Sequence, residues 1–414
     1  MIKNYLFLAL RNIRRNKGYS AVNLFGLSIG LACCLLILLY IYSELQFDRF
    51  NTKADRIYRV LYLQADARRG QLTFAVGMPP LAPALKEDLP EVEASTDFIR
   101  WTRLTVRREK STQTGIISRN YFFSGPGTFD IFTFPFLEGD PGQALRKPGS
   151  VVLTEEKAKQ LFGGEDPLGK SLFIDAEDFP EFGKMQFVVT GVLRHIPASS
   201  HMQFDFLISR STMEHFPDLK EQLTDWDTYT AYTYVLLHDA DQKQEVDAKL
   251  PAFTDKYALK EKGYKKGFRL QPLTDIHFGS AGIRTEQNAN EGDILYVRLF
   301  ALIALFIVGI ACVNYVNLAT ARAIKRMKEI GLRKVVGAAR WQMIGQFILE
   351  AVTHSLLAGF VALGLVEAAL PSFNTLADTD LSLVSTGSLP LLLGAFGLAI
   401  LVGIAAGGYP ALYH

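Results

Sequence analysis

The chain has 414 residues, of which 49% are hydrophobic and 21% charged, and its 44 Lys and Arg nearly balance 42 Asp and Glu. A net charge of +2 excludes a strongly basic nucleic-acid binder, and the apolar content excludes the disordered, collagen-like and disulfide-rich classes. The charges are nevertheless segregated. The 74 residues from Trp341 to His414 contain no Lys or Arg, whereas residues 1–17 contain five and no acid. This segregation indicates a membrane protein.

Four apolar segments are long enough to cross the bilayer as helices, which takes about 20 residues each. The predicted transmembrane helices are residues 21–42, 298–321, 343–370 and 389–410. Residues 1–20 place apolar side chains on one helical face and predict a cytoplasmic amphipathic segment, or else a plain extension of the first span. A cleaved signal peptide is disfavoured, because the first run exceeds the usual apolar core of about 7–15 residues.

The basic residues predict the orientation of the chain in its membrane. Residues 322–342 carry seven Lys and Arg against one acid, whereas residues 371–388 carry two acids and no base. The first of these loops and both termini are therefore expected in the cytoplasm. Residues 43–297 are then extracytoplasmic, with 31 Lys and Arg against 37 Asp and Glu, and residues 371–388 form a short extracytoplasmic loop.

The extracytoplasmic segment alternates strand-like and helix-like patterns, which predicts an α+β domain. The predicted strands are Arg56–Gln64, Val151–Leu153, Phe187–Leu193, Phe204–Ile208, Tyr229–Leu237 and Phe268–Leu273. The predicted helices are Pro80–Leu89, Thr154–Phe162, with Thr154 as its cap, and Gln242–Tyr257. All three cysteines lie inside the predicted spans, so this domain is expected to fold without disulfides.

One motif in the domain imitates a phosphate-binding loop. Residues 164–171 read Gly-Glu-Asp-Pro-Leu-Gly-Lys-Ser, but a helix pattern precedes them and a strand pattern follows, the reverse of the order that phosphate binding needs. We therefore expect a helix-to-strand turn. His195 and His201 flank a turn without the spacing of a metal site, so no metal, cofactor or catalytic residue is predicted.

Small and polar residues inside the spans have two interpretations. Gly26 and Gly30 enclose Ser28 in a G-x-S-x-G pattern, but within an apolar helix they predict close helix packing, as do Gly403 and Gly407. Glu350 and His354 lie four apart on one helical face and form a candidate intramembrane polar pair. An intramembrane serine protease that pairs Ser28 with His354 is the remote alternative.

The cytoplasmic loop combines basic residues with apolar positions at helical spacing. Ile324, Met327, Ile330 and Val335 suggest a short amphipathic helix that docks into a groove of a cytoplasmic partner. A basic loop resting on acidic lipid is the alternative.

Several motifs together resemble the MacB/FtsX-type ABC transporter permeases. The main run is Lys328-Glu329-Ile330-Gly331-Leu332-Arg333-Lys334-Val335-Val336-Gly337-Ala338, followed by Gln346-Phe347-Ile348-Leu349-Glu350-Ala351. Supporting runs are Asn12–Lys17, Gly26–Gly30, Leu161–Lys170, Val188–Val192 and Gly408–Ala411. They cover essentially the whole chain in order.

The resemblance implies four spans, a MacB-like periplasmic core domain and no ATP bound by this chain. A separate cytoplasmic ABC ATPase would hydrolyse ATP, and a second permease copy or half would complete the transporter. ATP-driven movement would then reach the extracytoplasmic domains and expel or extract a substrate there. The residues expected to contact the ATPase are Lys328, Glu329, Ile330, Gly331, Leu332, Arg333, Lys334, Gly337 and Ala338. A transmembrane sensor of the same architecture is the alternative function.

Overall fold

The computed structural model describes the chain in two units. It describes residues 17–66, 70–100, 103–108, 115–176, 183, 185–257, 260–261, 264–284, 291–325, 340–377, 379–383 and 388–413. One unit, the helical unit, comprises Met1–Leu45 and Ile294–His414, and the other, the inserted unit, comprises Gln46–Asp293.

Within the described residues, the α-helices run in chain order as α1 (Lys17–Leu45), α2 (Leu81–Asp88), α3 (Thr128–Ile131), α4 (Glu155–Phe162), α5 (Pro217–Gln222), α6 (Lys243–Lys256), α7 (Ile276–Gly279), α8 (Ile294–Lys325), α9 (Arg340–Ala377) and α10 (Ser388–Tyr413). The strands of the same residues are β1 (Ile57–Asp66), β2 (Gly70–Phe74), β3 (Val92–Ile99), β4 (Leu104–Arg108), β5 (Ile116–Ser118), β6 (Tyr121–Ser124), β7 (Phe136–Gly139), β8 (Ser150–Thr154), β9 (Ser171–Ala176), β10 (Gln186–Leu193), β11 (Phe206–Ser209), β12 (Ala231–Leu237), β13 (Lys260–Glu261), β14 (Tyr264–Pro272) and β15 (Ile283–Arg284).

Where it is described, the helical unit contains the long helices α1, α8, α9 and α10. Three of them are long and apolar enough to cross a membrane, over Ser20–Leu45, Ile294–Ala321 and Phe347–Ala377, and α10 carries the shorter apolar stretch Leu393–Ala405 among its described residues. An apolar surface on every side suits a helix surrounded by lipid. The third helix does not end before Pro371, where the apolar pattern suggested a loop, but continues through it to Ala377.

The inserted unit is built on one mixed sheet. Its strands run in the order β13-β14-β1-β12-β3-β6-β11-β8-β10-β9-β4-β5, with β2 and β7 pairing beside β1 and β10. The pairs β8–β10, β6–β11 and β2–β15 are parallel, and the other pairs are antiparallel. With α2, α4 and α6 packed on this sheet, the unit is an α+β domain, as predicted.

Three apolar clusters form the core of the inserted unit. One contains Val151, Leu153 and Phe187 around β8 and β10, and a second contains Phe98, Phe132 and Tyr234. The third surrounds Leu81 and Leu250, where α2 and α6 cover β1 and β12. Each side chain in these clusters leaves water on folding, which stabilises the fold by about 1.5–3 kcal/mol for a fully buried large apolar residue.

The strands and helices predicted for this domain are present, with shifted ends. Strand β8 begins at Ser150 and β11 at Phe206, and helix α6 ends at Lys256. Thr154 occupies the N-cap position of α4 but makes no side-chain capping hydrogen bond. It is also the last residue of β8, and its backbone N–H donates to Asp205 O at 3.1 Å.

Candidate functional site

Glycines bring α1 and α8 into close contact. A Cβ atom on Gly30 would lie 2.7 Å from the Cβ of Ala311, and one on Gly26 would lie 3.2 Å from Nδ2 of Asn314. Carbon atoms in contact ordinarily stand about 3.5–4.0 Å apart. Any larger residue at Gly30 therefore has to displace one helix from the other.

The same arrangement occurs between α9 and α10. A Cβ on Gly403 would lie 2.6 Å from Cα of Val352, and one on Gly407 would lie 2.7 Å from the Cβ of Ala351. A hydrogen bond crosses this interface, because the hydroxyl of Ser355 donates to the carbonyl of Ala399 at 2.5 Å. The four glycines singled out in the sequence thus lie at two helix–helix interfaces.

The polar residues of the helical unit bond mainly within their own helices. His354 is buried, and its Nδ1 donates to the backbone carbonyl of Glu350 at 2.9 Å, while its ring lies 6.4 Å from that of Tyr315. Glu350 and His354 are therefore joined through the backbone. The buried Ser28 hydroxyl donates to the carbonyl of Leu24 at 2.7 Å. The protease hypothesis requires a contact between Ser28 and His354. The contacts described for these two residues do not include one.

The residues expected to contact an ATPase lie outside the described part of the chain. The structure describes α8 up to Lys325 and α9 from Arg340. The run Lys328–Ala338 falls between them, and most of the amphipathic segment predicted over residues 1–20 is likewise outside.

The segment that imitates a phosphate loop is a turn between α4 and β9, as predicted. Its lysine, Lys170, contacts the carboxylate of Glu165, to which Arg108 Nη2 also donates at 2.9 Å. Both cationic groups lie over the ring of Phe162, at 5.6 Å and 5.2 Å from its centre. Lys170 is therefore paired with a carboxylate of the turn itself.

A buried chain of polar side chains crosses the inserted unit, and the sequence did not indicate it. It begins at Asp48, whose carboxylate Oδ1 lies 2.9 Å from Nδ1 of His201 and also accepts the backbone N–H of His201 at 3.2 Å. His201 Nε2 lies 2.8 Å from the hydroxyl of Tyr234. Asp48 and Tyr234 are each 1% exposed.

The chain continues from Tyr234 to Arg59, its direct partner in the β1–β12 pairing. The Arg59 guanidinium donates to Gln271 Oε1 at 2.7 Å and to the Ser280 hydroxyl at 2.9 Å. Burial lowers the pKa of Arg59 and raises the pKa of Tyr234. Arg59 nevertheless remains a cation, because its ordinary pKa is so high.

The two ends of the inserted unit meet at one histidine. The ring of Phe47, two residues after α1, stacks on His277 with centres 3.6 Å apart and planes 4° apart. The backbone N–H of Gly292, two residues before α8, donates to the carbonyl of His277 at 2.9 Å. A Cβ on Gly292 would overlap the His277 ring. Among the described residues, no group of three or more His, Cys, Asp or Glu side chains is placed to hold a metal ion.

Two family models match the chain in order. Residues 20–253 match the MacB-like periplasmic core domain, and residues 301–413 match the FtsX-like permease C-terminal domain. The first match covers more than half of the chain and extends over most of the inserted unit, which marks that unit as an extracytoplasmic domain. The second covers most of α8 and all of α9 and α10.

Curated relatives match along nearly the whole chain. The pyoverdine export ATP-binding/permease protein PvdT of Pseudomonas putida is 25% identical over 96% of this chain and 56% of its own length. The macrolide export ATP-binding/permease protein MacB of Syntrophobacter fumaroxidans is 25% identical over 98% of this chain and 61% of its own length. The chain thus spans little more than half the length of these relatives.

One of the solved structures similar to this chain is the periplasmic region of MacB from Actinobacillus actinomycetemcomitans. It is 15% identical, covers 54% of this chain and 91% of its own, and aligns with a TM-score of 0.36. The two family matches decide the assignment: the chain belongs to the MacB/FtsX-type ABC transporter permeases.

Proposed function

We propose that this chain is the permease part of an ABC transporter that carries ATP-driven movement across the membrane to its extracytoplasmic domain. The observation that carries the proposal is the order of the two family matches, with the core domain inserted between α1 and α8. In such an arrangement ATP hydrolysis drives a movement of the inserted unit, and that movement expels or extracts a substrate at the outer face.

The chain crosses a bacterial inner membrane four times in this proposal, with α10 as the fourth span and both termini in the cytoplasm. The 26 residues of α10 would reach about 39 Å at 1.5 Å per residue, more than the hydrocarbon core of about 30 Å. The basic loop of residues 322–342 supports the orientation, because Lys and Arg accumulate on the cytoplasmic side.

The partners in this proposal are a cytoplasmic ABC ATPase and a second permease copy or half. Lys328–Ala338 would contact the ATPase through an apolar face with Ile330 at its centre. The names of the relatives combine ATP-binding and permease parts, which supports an ATPase partner for the permease matched here. No ATP site is proposed within the described part of the inserted unit, where Lys170 of the look-alike loop contacts Glu165 of the same loop.

The coupling contact is tested by isolating the full chain in mild detergent together with the proteins bound to it. We expect an ATPase with a phosphate loop to accompany the wild-type chain. Burying a charge at a desolvated contact costs several kcal/mol, whereas a rim charge is worth under about 1 kcal/mol. Ile330→Asp should therefore abolish the association and the ATP turnover of the complex, while the control Lys325→Gln keeps most of both.

Two results would contradict the proposal. If no ATPase accompanies the wild-type chain from its native host, the transporter function is wrong. If Ile330→Asp has no effect on the association and on ATP turnover, while removal of the basic charges abolishes both, the segment contacts lipid and not an ATPase.

The orientation has a separate test. In a chain without Cys33, Cys34 and Cys312, Ile117→Cys should react with an impermeant thiol reagent on intact cells, because Ile117 is 63% exposed in the inserted unit. Lys328→Cys should react only after lysis. Labelling of Lys328→Cys on intact cells would invert the orientation.

A further inference from the structure

The inserted unit is tied to both of its membrane connections by buried side chains. We call the contacts among Phe47, Asp48, His201, His277 and Gly292 the base clamp. Phe47 and Asp48 follow α1 directly, and Gly292 precedes α8 by two residues. Phe47 and Gly292 both pack against His277, and Asp48 pairs with His201, so the base clamp fixes the positions of the two connections relative to each other.

The base clamp continues into the centre of the sheet through hydrogen bonds. His201 contacts the Tyr234 hydroxyl on β12, and Tyr234 contacts Arg59 on β1. Arg59 then donates to Ser280, whose hydroxyl donates to the carbonyl of Ile276 at 2.5 Å. The path therefore leaves the base clamp at His201 and crosses the two central strands β12 and β1. It returns at Ile276, which directly precedes the clamp residue His277.

Stability alone does not explain why these polar side chains are buried. A buried polar pair such as Asp48 and His201 is often no better for stability than well-packed apolar residues of the same volume. Asp48 also holds a φ of 58°, in the left-handed region that non-glycine residues enter at a cost in energy. What a buried polar chain supplies is a defined geometry, because displacing Asp48 or Tyr234 breaks its hydrogen bond to His201.

We propose that Asp48, His201, Tyr234 and Arg59 are positioning residues that carry movement of the two membrane connections to strands β1 and β12. This inference rests on the proposed function, in which such movement originates at the ATPase. A shift of the connections displaces Asp48, and the hydrogen-bonded chain transfers that displacement to the sheet without melting the apolar core.

Tyr234→Phe is the decisive variant, because it removes one hydroxyl from the path. Its ring keeps its edge-to-face packing on Phe98 and Phe132, at 5.7 Å and 5.1 Å between centres. Tyr58→Phe is the matched control. Tyr58 is also buried, lies on the neighbouring strand β1 and donates its hydroxyl to the carbonyl of Ala240 at 3.1 Å, outside the path.

The experiment compares hydrogen–deuterium exchange of the full chain, with its ATPase in nanodiscs, in the absence and presence of a non-hydrolysable ATP analogue. In the wild type and in Tyr58→Phe, the analogue should change exchange in residues 46–51 and in β1 and β12. In Tyr234→Phe, the change in residues 46–51 should remain, while the change in β1 and β12 falls about tenfold, the factor expected for one lost hydrogen bond.

Each outcome decides one of the two ideas. If the wild-type inserted unit does not respond to the analogue, the proposed function fails, and this inference with it. If the wild type responds and Tyr234→Phe responds equally in β1 and β12, the inference alone is wrong. If Tyr234→Phe already differs from wild type without nucleotide, Asp48→Asn decides, since Asn tolerates the left-handed backbone and replaces the charge and one acceptor oxygen with an NH2 donor. An undiminished response in Asp48→Asn overturns the inference.

Discussion

The contact between Gly30 and Ala311 makes a quantitative prediction for Gly30→Ala. The added Cβ would lie 2.7 Å from the Cβ of Ala311, so α1 and α8 have to separate by about 1 Å to reach an ordinary contact distance. Overpacking of this kind costs about 1–3 kcal/mol. We expect that loss in the free energy of unfolding, measured by titrating the purified chain in mixed micelles with a denaturing detergent.

Two matched variants make this test specific. Gly309→Ala on α8 meets no atom within 4 Å and should leave the free energy of unfolding unchanged or raise it by up to about 1 kcal/mol, since Ala favours the helix. Ala311→Gly should rescue Gly30→Ala, because it removes the atom that the new methyl group strikes. Equal stability of Gly30→Ala and Gly309→Ala, or a failure of Ala311→Gly to rescue, would refute the close contact.

Three further predictions concern other contacts. Gly403→Ala should cost about 1–3 kcal/mol in the same titration, and trimming Val352 should not rescue it, because the nearest atom is the Cα of Val352. Residues 46–293 expressed alone should melt at the same temperature with and without reductant, since they contain no cysteine. The same fragment should bind no ATP in calorimetry, because its look-alike loop follows a helix and precedes a strand. Arg210→Met removes a guanidinium whose Nε lies 2.8 Å from buried Asp97 and should destabilise this fragment by about 3–5 kcal/mol in urea at neutral pH. Because burial raises the pKa of Asp97, its neutral form is favoured by folding, so the deficit should shrink as the pH falls towards its ordinary pKa of 3.8 and be widest at neutral pH. A deficit that grows on acidification would contradict this sign.

The sequence predicts the elements that repeat a simple pattern. Runs of about 20 apolar residues identify the long helices, since the bilayer thickness sets their length. The strands β1, β10 and β12 were recognised because Val, Ile, Tyr and Phe dominate them. The sequence does not predict the short or charged strands β4 (Leu-Thr-Val-Arg-Arg) and β5 (Ile-Ile-Ser), because their composition has no strand pattern of its own. They are strands because β4 pairs with β9 and β5 pairs with β4.

The site residues divide in the same way. Gly26 and Gly30 stand out because small residues four apart suit close helix packing, but their partners Asn314 and Ala311 depend on the register between two helices. The path from Asp48 to Arg59 left no local signal. His201 lies 153 residues from Asp48 and 33 from Tyr234, and only the folded sheet brings the three together.

The pairing of β1 also dictates when the inserted unit can fold. Strand β14 lines one edge of β1 over Tyr58–Asp66, and β12 lines Ile57–Val60 on the other edge, so only β2 is available locally, over Tyr62–Asp66. More than 160 residues separate the end of β1 from the start of β12. At synthesis rates of about 5–20 residues per second, β1 waits roughly ten to thirty seconds with open hydrogen-bonding edges. During that interval the nascent chain is a template for wrong strand pairing, and a chaperone that shields this edge would raise the yield of the folded protein.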